Sequence, residues 1–175
     1  MKLHLGCGSR TIPGYLQVDV RKLPNVDIVS SIDKLSFAPD SSVDVIYCCH
    51  VLEHVSRMDV QKVFKEWRRV LKSGGLLRIS VPDFEAIVAI YLKTGDMADV
   101  IGKLHGKQDF DYNFHYISFD FKFLSRNLAE VGFTNVRRYD CKLTEHGHID
   151  DYSHAVFTHK DQEIPISLNI ECEKL

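Results

Sequence analysis

The first half of the chain alternates short apolar or β-branched runs with turn residues or a helical pattern: Lys2–Leu5, Tyr15–Val20, Val26–Val29, Val43–Cys48 and Leu76–Val81. Strands spaced in this way are joined by crossovers, so the pattern predicts an α/β fold with a parallel sheet. Between the fourth and fifth runs, Val60, Val63, Phe64, Trp67, Val70 and Leu71 recur at three- and four-residue steps. With Ser56 as N-cap and Gly74 as C-terminal stop, the spacing predicts a helix over 57–72. Asp83 is placed to cap a second helix through about Leu92. A third runs from about Asp120 to Val131, stopped by Gly132, and a strand follows near Val136–Cys141. The alternation of Ile166, Leu168, Ile170 and Cys172 marks a terminal strand.

No internal repeat or linker-like composition divides the 175 residues, which is the length of one ordinary domain. A single domain over 1–175 is expected. Basic and acidic residues nearly balance, 22 against 24, and the net charge of −2 gives no electrostatic footprint for DNA. No apolar run approaches the roughly 18 residues of a membrane span. The opening MKLHLGC lacks the apolar stretch of a secretory signal. Five cysteines, Cys7, Cys48, Cys49, Cys141 and Cys172, show no C-x-x-C spacing. That argues against a disulfide framework and a structural zinc site and points to a reducing cytoplasm.

In an open parallel sheet, ligands bind beyond the carboxyl ends of the strands. Those ends carry Gly6-Cys7-Gly8, Asp19, Ser30 to Asp33, Cys49-His50 and Pro82-Asp83. The glycines permit positive φ and a close backbone approach, and one carboxylate at the tip of the second strand suits the two hydroxyls of a ribose. A nucleoside ligand follows. Between Gly6 and Gly14 the chain has nine residues to return along a strand of roughly 16 Å, whereas six helical residues would cover only about 9 Å. The long helix that holds a dinucleotide pyrophosphate is therefore expected to be missing, and Thr11 replaces the third glycine of G-x-G-x-x-G. Both features disfavour a nicotinamide-dependent oxidoreductase.

The segments LHLGCGSRTIPGYLQVDV, IDKLSFAPDSSVDVIYCCHVLEH and EWRRVLKSGGLLRISVPD together resemble the class I S-adenosylmethionine-dependent methyltransferases, in particular the small type 11 group. The resemblance is close over about residues 3 to 83. It implies a Rossmann-like, mostly parallel seven-stranded sheet of order 3-2-1-4-5-7-6 with an antiparallel last strand. It further implies that Gly6, Cys7 and Gly8 line the methionine part of S-adenosylmethionine, that Asp19 holds the ribose hydroxyls, that Asp33 and Leu35 flank the adenine, and that Cys49 and His50 face the sulfonium. One departure is His4-Leu5, where many relatives place an acid. Relatives also often roof the pocket with helices ahead of the first strand, and here the roof is expected from elsewhere.

Two long irregular stretches, about 94–118 and 142–163, both reach the carboxyl edge and serve as the expected lids. The first carries His105, Gln108, Asp109, Asp111 and His115 among Phe110, Tyr112, Phe114 and Tyr116. The second carries His146, His148, Asp150, Asp151 and His154, a histidine-rich run that reads as loop composition before it reads as a metal site, so no metal is assigned. These stretches are the expected binding site of a small-molecule or glycan-like methyl acceptor. His50, His115 and Glu53 are the candidate catalytic residues, the histidines because they titrate near neutral pH. In H-V-L-E-H a starting helical turn would set His50 and His54 on one face, and the simpler reading has Glu53 favouring a helix N-terminus and His54 packing. The alternative to an enzyme is a non-catalytic S-adenosylmethionine-binding module.

Overall fold

The structure, a computed structural model, describes residues 1–175. Seven strands form the main sheet: β1 (Lys2–Leu5), β2 (Leu16–Asp19), β3 (Ile28–Val29), β4 (Val43–Cys49), β5 (Leu71–Pro82), β6 (Phe133–Arg138) and β9 (Ser167–Lys174). Their order is β3-β2-β1-β4-β5-β9-β6. Because β9 is the seventh strand of this sheet, the order is the expected 3-2-1-4-5-7-6. The strand β9 runs antiparallel to both neighbours, while β1 to β5 pair in parallel. A separate hairpin, β7 (Val156–His159) with β8 (Gln162–Pro165), stands outside the sheet.

The register sets the strand ends side by side. Leu5 pairs with Val18 on one flank and Cys48 on the other, so Gly6 lies between Asp19 and Cys49. Asp19 pairs in turn with Val29, and Cys49 with Ser80. No helix occurs between β1 and β2, as the short crossover demands.

Helix α1 spans Val60–Val70 and buries Val60, Val63, Phe64, Trp67 and Val70, the stripe that its spacing prescribes. Trp67 is fully buried and donates its indole N–H to the Ile32 carbonyl at 2.8 Å. The helix is shorter than 57–72 at both ends. Ser56 caps only the turn before it, accepting from the Met58 amide. Its other end is set by Leu71, which is already extended and pairs with Val43; Gly74 lies in the irregular start of β5 and not at a helix C-terminus. The other helices are α2 (Phe84–Thr94), α3 (Ile101–His105) and α4 (Phe121–Val131). Asp83 and Asp120 cap α2 and α4 by accepting backbone N–H groups, and Gly132 ends α4 in the left-handed region.

Two expectations need correction. The strand after α4 is Phe133–Arg138, and Cys141 instead opens a 3₁₀ turn capped by Asp140. The stretches 94–118 and 142–163 are not structureless: the first holds a 3₁₀ turn at Met97–Asp99 and α3, and the second holds a 3₁₀ turn at Tyr152–His154 and most of the β7–β8 hairpin. No helix is long and apolar enough to cross a membrane.

Candidate functional site

Gly6 turns the chain out of β1 at φ 67°, and a Cβ there would stand 2.2 Å from Val51 Cγ2. The close approach that fixes this glycine is to the protein's own β4 turn. Gly8, at φ 56°, donates its N–H to Asp19 Oδ2 at 2.8 Å. Cys7 between them is buried, and burial pushes its thiol up to about 11. It therefore lines the loop with backbone and not with a reactive sulfur.

The Asp19 carboxylate is nearly covered. Its Oδ1 accepts from the Arg21 backbone N–H at 2.9 Å and from the guanidinium Nε at 3.1 Å. Burial opposes its charge, but Arg21 and the Gly8 amide hold the carboxyl below the usual range. A ribose at Asp19 must displace the Arg21 side chain, which is 39% exposed. Farther along the edge, Asp33 accepts from Lys62 Nζ at 2.6 Å and Ser31 Oγ at 2.5 Å, and these lower its pKa. An open cleft of about 260 Å³ lies beside it, lined by Ser31, Ser56, Asp59 and Lys62 among others. Leu35 has no exposed surface and belongs to the main core, so it supports that wall from behind and does not reach a ligand. His4, at the position of the absent acid, is buried with Nδ1 2.7 Å from Gln17 Oε1.

The end of β4 gathers the chemistry. Cys49 is half-buried, and burial followed by the Asp151 charge raises its thiol pKa. His50 takes up φ 52°, an uncommon conformation for a non-glycine residue and a mark of functional turns. Its amide is tied to the Ser80 carbonyl at 2.8 Å. Its Nε2 is 2.8 Å from Ser167 Oγ, whose hydroxyl donates to the Tyr152 carbonyl. On its other side Nδ1 stands 3.2 Å from Glu53 Oε1, near enough for an ion pair but without the geometry of a hydrogen bond. Glu53 is 1% exposed, and neither carboxylate oxygen has a hydrogen-bond partner. Burial alone would raise its pKa; the imidazoles of His50 and His54 hold it below the usual range.

Residues 52–54 form a single 3₁₀ turn and not the start of a helix. Consequently His50 and His54 do not share a helical face; they flank Glu53. The first irregular stretch closes over this turn. The Tyr116 amide donates to the Glu53 carbonyl at 2.8 Å, and the rings of His54 and His115 meet edge to face at 4.9 Å. Phe110 of the same stretch lies 5.6 Å from the Arg21 guanidinium, so one segment reaches both the Asp19 end and the His50 end. Burial lowers the pKa of His115. His50, Glu53 and His115 are thus brought together, and His54 joins them, a residue that the sequence reading leaves as packing although H-V-L-E-H already held it.

The second stretch uses its polar groups differently. Asp151 accepts from Tyr47 Oη and from Ser153, His154 faces Cys141 Sγ, and His146 stacks on Tyr47 at 4.0 Å. Tyr152 stands 5.4 Å from the His50 ring.

The family model described as "Methyltransferase domain" matches residues 11–79, the span from the crossover after the glycine loop through α1 into β5. The match covers 69 of the 175 residues, and over that span the chain is similar to this methyltransferase family. Solved structures share the architecture at low identity. One is a methyltransferase of Thermotoga maritima described as a possible histamine N-methyltransferase, at 18% identity and TM-score 0.61, covering 99% of this chain and 82% of that one. Another is a methyltransferase of Methanosarcina mazei at 19% and 0.61, covering 99% and 92%. A third is the 1,6-didemethyltoxoflavin-N1-methyltransferase of Burkholderia thailandensis, solved with its substrate and S-adenosylhomocysteine, at 13% and 0.58, covering 99% and 70%. No curated relative matches the sequence.

Proposed function

We propose that the chain is a class I S-adenosylmethionine-dependent methyltransferase of the type 11 group, acting as a single domain over 1–175 on a small-molecule or glycan-like acceptor, with His50 as general base. The observation that carries this reading is the order Ser167 hydroxyl, His50 imidazole, Glu53 carboxylate, at 2.8 and 3.2 Å. Ser167 spends its own proton on the Tyr152 carbonyl and so accepts from Nε2 here; with the ring proton moved to Nδ1, facing Glu53, Nε2 is free to take a proton from an acceptor while the buried carboxylate steadies the resulting charge. An acceptor hydroxyl or amine would take the place of Ser167 beside Nε2. In the transfer the acceptor heteroatom bonds to the methyl carbon, the carbon–sulfur bond breaks with its electron pair returning to sulfur, and the acceptor proton passes to His50. The sulfonium already activates the methyl, so alignment within about 3 to 3.5 Å supplies most of the rate.

Gly6, Cys7 and Gly8 would cradle the methionine part through their backbone, Asp19 the ribose once Arg21 moves aside, and Asp33 the adenine edge. Cys49 and His50 would face the sulfonium, with His115 descending from the 94–118 lid onto the acceptor. Phe110, Tyr112 and Tyr116 are exposed on that lid, flat surfaces against which a sugar or planar ring can stack. The acceptors named for the Thermotoga and Burkholderia neighbours are small ring compounds, which supports the small-molecule reading. Five free cysteines, four of them buried, suit a reducing cytoplasm.

Calorimetry tests the cofactor half. Asp19→Ala is expected to weaken S-adenosylmethionine or S-adenosylhomocysteine binding by about 1.5 to 3 kcal/mol, the scale of a hydrogen bond to a charged group. Tighter binding of NADH than of either sulfur nucleoside would overturn it.

A further inference from the structure

The carboxylate of Glu53 presents a problem that methyl transfer does not resolve. It is 1% exposed, and neither oxygen has a hydrogen-bond partner of good geometry. A buried polar group without partners is destabilising, the more so when charged. His50 attends one oxygen from 3.2 Å. What faces the carboxylate besides is a pair of imidazoles from different segments, and one ligand atom each from Glu53, His54 and His115 lies within 4.8 Å of the others.

Both imidazoles are oriented as metal ligands are. His54 Nδ1 is 3.0 Å from the Phe114 carbonyl, and His115 Nδ1 is 3.0 Å from the Lys103 carbonyl. A carbonyl can only accept, so each Nδ1 carries the proton and each Nε2 keeps its lone pair. Fixing one ring nitrogen on a backbone carbonyl while the other stays free is the usual support of a ligating histidine.

We propose that Glu53, His54 and His115 bind one divalent transition-metal ion of the zinc class, which pins the 94–118 lid to the turn after β4. Two imidazoles and one carboxylate are a ligand set that zinc accepts in sites with an open position. Ligands around tetrahedral zinc lie about 3.3 Å apart, so each atom has to move inward by under about 1 Å. A hydroxyl or amine that took the open position would lose its proton more readily. Glu53 can serve His50 with one oxygen and the ion with the other. His115 is then a ligand and not a lone acceptor contact. The proposal stands apart from the methyltransferase reading, because it requires only that the folded chain bind metal.

The test is calorimetric titration of chelator-treated protein with zinc chloride, alongside cobalt(II) chloride read by visible absorption. The expected result is one ion per chain and a tetrahedral or five-coordinate cobalt spectrum. His54→Gln and His115→Ala should each weaken zinc by about a hundredfold or more, beyond the 10 to 100-fold effect of losing a supporting group alone. Circular dichroism and a thermal melt establish that each variant is folded, and Glu53→Gln, which keeps the side-chain shape, is the third member. Two results overturn the proposal: folded wild-type protein that takes up no stoichiometric zinc, or zinc binding that survives His54→Gln and His115→Ala and is lost in His148→Ala. Calorimetry with S-adenosylhomocysteine on the metal-free protein separates this outcome from failure of the cofactor assignment.

Discussion

The two stretches over the carboxyl edge of the sheet have similar composition and different physics. Residues 94–118 bring His115 against a buried carboxylate, with its Nδ1 tied to a backbone carbonyl. Residues 142–163 bury His146 between Tyr47 and Tyr15, where both ring nitrogens lack a partner. Burial, then Arg78, depresses the His146 pKa to about 4. The acids of the second stretch are turned to capping, as Asp151 is by Ser153 and Tyr47. A histidine in a polar loop thus becomes chemistry or packing according to what it faces, and the residue count of the loop says nothing about which.

The largest expected effect breaks the comparison if it fails. With a known acceptor, His50→Ala or His115→Ala should lower turnover by roughly 100 to 10,000-fold, with S-adenosylmethionine affinity little changed. His159→Ala, on the β7–β8 hairpin of the second stretch, should leave turnover within about threefold, a surface-scale effect. If His50→Ala and His115→Ala also stay within that range, alignment alone drives the transfer and the first stretch is no more chemical than the second.

The same contrast explains what the sequence discloses. The alternating strands, the G-C-G turn, Asp19 and the nine-residue return to β2 are local patterns, and each is present in the fold. His54 was not legible as a site residue because its significance lies in Phe114 and His115, about sixty positions away, brought near only by the lid. The covering of Asp19 by Arg21 was equally silent, since it depends on a side-chain rotation. The β7–β8 hairpin escaped for a different reason. Its turn places Lys160 and Asp161 at φ 45° and 63°, a conformation normally announced by Asn-Gly or Asp-Gly. Leu35 read as a ligand neighbour only through the family resemblance, which carries no information about which face of the loop is buried in this chain; its side chain is fully buried.

An effect of intermediate size concerns pH. His146 has a folded pKa of about 4 against its ordinary 6.5, so the unfolded chain takes up a proton below 6.5 while the folded chain refuses it until about 4. The sign is a loss of stability as pH falls through that window and none above it. At about 1.36 kcal/mol per unit, the loss reaches at most about 3 kcal/mol near pH 4. Arg78, Glu145, Asp151 and His4 all bear on the ring, and their own titration is common to wild type and variant. His146→Phe, which keeps an aromatic on Tyr47, should therefore match wild type in urea at pH 7 and exceed it at pH 4.5. An equal gap at both pH values would mean that His146 is not held neutral, and the distinction between the stretches would weaken.

The smallest expected effect concerns motion. Residues 108–116 of the first stretch are tied down by four backbone hydrogen bonds, Gln108 to Asn113, Asn113 to Phe110, His115 to His105 and Tyr116 to Glu53, and the aromatics at 110, 112 and 116 stand exposed. The second contains a registered ladder from Val156 with Pro165 to His159 with Gln162, whose bonds do not depend on a ligand. Filling the pocket adds contacts to exposed aromatics in the first stretch and little to the hairpin. Hydrogen exchange should therefore show amides of residues 108–116 slowed by about tenfold when cofactor and acceptor are both present, equivalent to about 1.4 kcal/mol of added local stability. Hairpin amides should change by less than about half that free energy. On the proposed reading, cofactor alone would sit at Asp19, near Phe110, which lies by Arg21, and the acceptor near His115, so protection near residue 115 is expected to need the acceptor. Equal slowing of both stretches, or none at residue 115 with both ligands bound, would show that the lid is a fixed wall and that its histidine does not move onto the acceptor.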